Sequence, residues 1–140
     1  MTDKDKMNIS RIDMARLKNL SKQKRNLEEL RDELWMSLTG GAIDYSKDKI
    51  QTTPTNSLEE VMSRIDEIDR HIDVLIDEIG KYKDIIYKMN TDKYINVLVD
   101  LYIYQKTFNQ VAASLGKTKS TIFERHESAL IEYYYTKYCV

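Results

Sequence analysis

Thr107-Phe-Asn-Gln-Val-Ala-Ala-Ser-Leu-Gly-Lys-Thr-Lys-Ser-Thr-Ile-Phe-Glu-Arg-His-Glu-Ser-Ala-Leu-Ile131 is the stretch whose reading decides the fold. It divides into two short helices around a tight turn. Thr107 and Gln110 have capping-box spacing, which marks the first helix start. Gly116 stands where that helix must end and the chain must turn with positive φ, a conformation only glycine adopts cheaply. Thr118 follows at once and can cap the second helix. Ala112 is small where the helices would cross, and Ile122, ten residues on, is a β-branched plug for the second helix. Helix, glycine turn and capped helix form the grammar of a DNA-reading helix-turn-helix. A helical hairpin that only packs would carry the same glycine turn, so the pattern by itself leaves both readings open.

Working outward, Tyr94, Leu98, Leu101 and Tyr102 suit a helix that supports the motif. Further upstream, Ser57 and Glu60 form another capping-box pair. They open the most regular pattern in the chain: Val61, Ile65, Ile68, Ile72, Leu75, Ile79, Tyr82, Ile86 and Met89, alternating steps of four and three. That is a heptad seam, and it predicts a helix over about 57–89, roughly 45 Å long at 1.5 Å per residue. Such a helix needs a partner. Residues 9–38 offer one, with Ile9, Ile12, Leu17, Leu20, Leu27, Leu30, Leu34, Trp35 and Leu38 as a looser stripe free of helix breakers. An antiparallel hairpin of the two is the first choice, and an intermolecular coiled coil is the close alternative. Thr39-Gly40-Gly41 stops the first helix, and residues 39–56 form a long connection holding Pro54.

The expected fold class is therefore all-α. Residues 1–93 hold two long helices (about 9–38 and 57–89) joined by a loop, and residues 94–140 hold a small helix-turn-helix domain. Composition agrees: one proline and four glycines are too few for a disordered or all-β chain. A single cysteine, Cys139, excludes a disulfide framework or cysteine metal cluster within the chain and fits a reducing, cytoplasmic setting. The polar start lacks the apolar run of a signal peptide, and no segment approaches a membrane span.

Net charge is −1, but it is unevenly spread. Residues 57–93 carry six basic and ten acidic side chains, whereas residues 94–140 carry five and four. The motif region is thus slightly basic, a weak footprint for phosphate binding. No Ser-His-Asp set, phosphate loop or separated carboxylate pair is present, so no enzyme, cofactor or metal site is expected. His126 falls on the packed side of the motif and reads as structural. His71 lies on the polar side of the heptad helix without a ligand at metal spacing.

Asp48-Lys-Ile-Gln-Thr-Thr-Pro54, the acidic helix behind it and the Ala112/Gly116/Ile122/Ala129-Leu130 pattern carry a resemblance. The chain from about residue 9 to 133 resembles the late transcription regulators of phages of Gram-positive hosts, the autolysin-regulatory-protein-like group. Its C-terminal part resembles region 4 of bacterial sigma factors. The resemblance implies promoter-region DNA binding and activation of late genes, with RNA polymerase as a further partner; the apolar stripes of the long helices separately suggest homo-oligomers formed through them.

On a recognition helix starting at Thr118, the side away from Ile122 presents Lys119, Ser120, Phe123, Glu124 and Glu127, with Thr121 in the first turn. Lysine can meet guanine or phosphate, serine can meet either, and Phe123 could pack on a thymine methyl; glutamate can accept from a cytosine amine. Lys106 and Lys117 flank the motif and suit contacts to the phosphate backbone. Tyr133, Tyr134, Tyr135 and Tyr138 could stack bases, pack on the motif's end or contact another subunit. Two other functions compete: a DNA-packaging adaptor of the small-terminase type, and a polymerase-binding interaction module.

Overall fold

Thr2 accepts from the backbone N–H of Asp5 at 3.1 Å, and the Asp5 carboxylate accepts from that of Thr2 at 3.2 Å. This reciprocal cap starts the first helix six residues before the expected position 9. The computed structural model describes residues 1–39 and 58–139, and these are all-α, without a strand among them. Helix α1 spans Asp3–Thr39, α2 Leu58–Tyr87, α3 Asp92–Leu98, α4 Phe108–Leu115 and α5 Lys119–Tyr138. Helix α3 runs on into one π-helical turn, Val99–Ile103. The expected Ser57 cap and the Asp48–Pro54 segment lie outside the described residues.

Contacts divide the chain into two compact units. One comprises Met1–Lys22 with Asp77–Val140, the other Gln23–Ile76. This division does not follow the 93/94 boundary expected from sequence. The reason is a shared core: Met14 and Leu17 of α1 and Ile79 and Ile86 of α2 lie in one apolar cluster with Leu98, Ala129, Leu130 and Tyr133. Burying each of the larger side chains contributes about 1.5–3 kcal/mol. The heptad seam is inside as expected, with Ile65, Ile72, Leu75, Ile79, Ile86 and Met89 all buried.

Helix α1 departs from its expected stripe. Ile12, Leu30 and Trp35 are exposed, while Ser10, Asp13, Met14, Leu17 and Ser21 are buried. The buried face still steps by three and four, but it passes through small and polar side chains. Two of these are bonded within the first unit. Ser10 donates to the carbonyl of Leu130 at 2.7 Å, and Asp13 accepts from Tyr133 at 2.9 Å and from Lys137 at 2.6 Å. Buried polar groups of this kind are tolerated because they are paired. Burial, then the bond to Asp13, raises the Tyr133 phenol pKa. In the second unit, Arg31 bonds Asp69 at 3.1 Å.

Candidate nucleic-acid interface

Thr107 is extended (φ −83, ψ 163) and caps α4 with both halves of a capping box. Its Oγ1 accepts from Gln110 N–H, and the Gln110 side chain accepts from Thr107 N–H. Helix α4 ends at Gly116 in the left-handed region, φ 65 and ψ 33. The N–H groups of Gly116 and Lys117 close back onto the carbonyls of Ala113 and Ala112, satisfying acceptors that the helix end would leave open. A Cβ at Gly116 would meet nothing within 4 Å, so the backbone conformation, not crowding, demands glycine. Thr118 then caps α5, accepting from Thr121 N–H at 3.2 Å.

The two helices meet over a second apolar cluster of Val97, Leu101, Val111, Ala112 and Ile122. Ala112 and Ile122 thus sit together in the packed interior. One turn along α5, His126 is buried, 2.5 Å from the Tyr102 hydroxyl and edge-on to the Phe108 ring. Burial, with the Arg11 charge adding to it, lowers the imidazole pKa to about 4, so the ring is neutral at pH 7. Burial likewise raises the Tyr102 phenol.

The side chains expected to reach DNA divide into two groups. Lys117, Thr118, Lys119, Ser120, Glu124 and Glu127 are exposed. No carboxylate pairs with Lys117 or Lys119 among the described residues. The others are partly engaged. Thr121 is half-buried, with its hydroxyl 3.0 Å from that of Thr118. Lys106 is exposed but lies 3.7 Å from the Asp100 carboxylate. Phe123 stacks on Phe108 at 4.4 Å between centroids, leaving it 44% exposed, and Lys119 Nζ stands 5.6 Å from its ring centre. Phe123 therefore holds α5 to α4 as well as offering an outer surface.

At the far end of α5, Tyr133 is in the core, while Tyr134 contacts the rings of Tyr135 and Tyr138 and Lys6 bonds Tyr135. Glu132 accepts from the N–H groups of Asn90 and Thr91 and from the Thr91 hydroxyl, capping α3 from another helix. No local pattern in the sequence marks Gln105, just before α4. It is a non-glycine residue with φ 59, a costly conformation, and its side-chain amide donates to the carbonyl of Lys18 at 3.3 Å. That partner is too distant in sequence for any local pattern to reveal it.

Comparison with protein-family models, curated proteins and solved structures finds no match. The surface is therefore read from its own geometry. Among the described residues, no group of histidine, cysteine or carboxylate side chains could hold a metal, and no helix is long and apolar enough to cross a membrane.

Proposed function

We propose that this chain is a DNA-binding transcriptional regulator that reads promoter-region DNA with the first turns of α5. One observation carries the reading. Residues 113–120, covering the end of α4, the turn and the start of α5, are all exposed, while Ile122, His126, Ala129 and Leu130 fix the same helix from behind. A capped helix N-terminus that protrudes from a rigid support can enter a major groove and direct its N–H groups and first side chains at base edges and phosphates. Lys119 and Ser120 are the base-reading candidates, Phe123 and Glu124 secondary ones, and Lys117 a phosphate contact. The resemblance to late phage regulators fits this role, and in that setting the protein acts as a non-enzymatic activator in the cytoplasm.

Glu124 and Glu127 on the same exposed side favour a second reading, a module that docks on RNA polymerase with little DNA contact. Genome-wide mapping of bound DNA, with Lys119→Ala as comparison, separates the two. The regulator reading expects discrete upstream sites and a Lys119→Ala loss of about 1–3 kcal/mol with relaxed base preference. Polymerase co-purification without any discrete site would replace it with the docking module. A ring-sized species that binds DNA without site preference would point to packaging.

A further inference from the structure

Helix α1 carries a second cationic surface beside the motif. Lys4, Asn8, Arg11, Ala15, Lys18 and Lys22 step by four and three, so they line one side of the helix, and all are exposed. At 1.5 Å per residue the stripe is roughly 27 Å long. It contains no acid. The acids of this part of α1 lie elsewhere: Asp3 and Asp5 in the first turn, and Asp13 buried against Tyr133 and Lys137. No carboxylate pairs with Lys4, Arg11, Lys18 or Lys22 among the described residues, and Arg11 is steadied by Asn8 at 3.0 Å.

The stripe also lies next to the motif in space. Its Lys18 carbonyl accepts from Gln105, the neighbour of Lys106 and two residues before the α4 cap. The Arg11 charge acts on both Tyr102 and His126, which meet on the inner side of α5. An unpaired row of cations flanking a protruding helix suits a polyanion backbone.

We propose that Lys4, Arg11, Lys18 and Lys22 form a phosphate-binding stripe that follows the DNA backbone beside the groove entered by α5. This rests on the DNA-binding reading above. It also explains how a chain of net charge −1 binds DNA: affinity comes from a local stripe, and the motif supplies base preference.

The test uses the full chain and a random-sequence DNA duplex, with affinity measured against salt. The triple variant Arg11→Gln/Lys18→Gln/Lys22→Gln is compared with a charge-matched control, Arg16→Gln/Lys81→Gln/Lys93→Gln, whose residues are exposed but off the stripe. Losing three phosphate contacts shrinks the fall in affinity between about 50 and 200 mM salt by roughly 40-fold, with the control close to wild type. Equal salt slopes in the two triple variants overturn the stripe. If Lys119→Ala still relaxes base preference in that case, the regulator reading stands without the stripe. Wild-type chain that binds vesicles of phosphatidylserine and phosphatidylcholine but no duplex overturns both.

Discussion

The two halves of α5 do different work. Its first turns leave Lys119, Ser120, Glu124 and Glu127 exposed, while Ile122 and His126 are buried on the inner side and Phe123 stacks on Phe108. Its last turns are tied down by almost every available device. Ala129, Leu130 and Tyr133 are buried, Glu132 caps α3, Lys137 pairs with Asp13, and the Leu130 carbonyl takes a bond from Ser10. A helix anchored by one end can expose the other without losing its position. Substitutions in the rear half should therefore cost stability, and substitutions in the front half should change what the surface touches.

The largest expected effect is in the rear. Leu130 is fully buried in the main cluster, so Leu130→Ala removes apolar contacts and leaves a cavity there. Chemical denaturation followed by circular dichroism should give a loss of roughly 2–5 kcal/mol. A loss below about 1 kcal/mol would mean that the rear half is no anchor.

His126, at the junction of the halves, should make stability depend on pH. The unfolded imidazole takes up a proton near its ordinary pKa of 6.5, the folded one only near pH 4, because burial opposes the charge. Between these values the unfolded chain binds more protons, so stability falls as pH falls from 6.5 towards 4. The full difference is on the order of 3 kcal/mol. Carboxylates titrate in the same range, so the informative quantity is wild type minus His126→Gln, which should keep the Tyr102 contact without titrating. Identical pH slopes for the two proteins would show that His126 is not the group responsible.

These expectations also explain what could be read from sequence. The seam of α2 was legible because a heptad repeat is local and needs no knowledge of the partner. The α4–turn–α5 segment was legible for a similar reason: Thr107, Gln110, Gly116 and Thr118 act on backbone groups within a few residues. The inner face of α1 was not. Nothing local marks Ser10 and Asp13 as buried, because their partners Leu130, Tyr133 and Lys137 come from the other end of the chain. The start of α1 at Asp3 rests on the reciprocal bonds of Thr2 and Asp5, which lie ahead of the apolar stripe that begins at Ile9. Among the candidate contacts, Phe123 looked purely outward because its stacking partner, Phe108, belongs to a different helix. The π turn at Val99–Ile103 and the left-handed Gln105 likewise depend on tertiary context.

In the front half, Thr118→Ala removes the side-chain acceptor for Thr121 N–H at the start of α5. The expected cost is about 1 kcal/mol. Fraying confined to the first turn, detected as faster amide exchange at Thr121 with little change in the rear half, is the pattern that fits an end-anchored helix. Faster exchange spread evenly to Tyr133 would mean that the two halves unfold as one.

Lys119→Ala should have the smallest effect on stability and the clearest on binding. The side chain is exposed, has no carboxylate partner among the described residues and stands 5.6 Å from the Phe123 ring centre. Its cation–π contact at an exposed site contributes about 0.5–1 kcal/mol at most, and alanine partly offsets this through its higher helix propensity. The midpoint of denaturation should therefore hardly move, while DNA affinity drops. A comparable loss in both measurements would mean that Lys119 holds α5 against α4 through Phe123. The apparent binding defect would then be a defect of the support, and the division between an anchored rear and a reading front would have to be redrawn at Ile122.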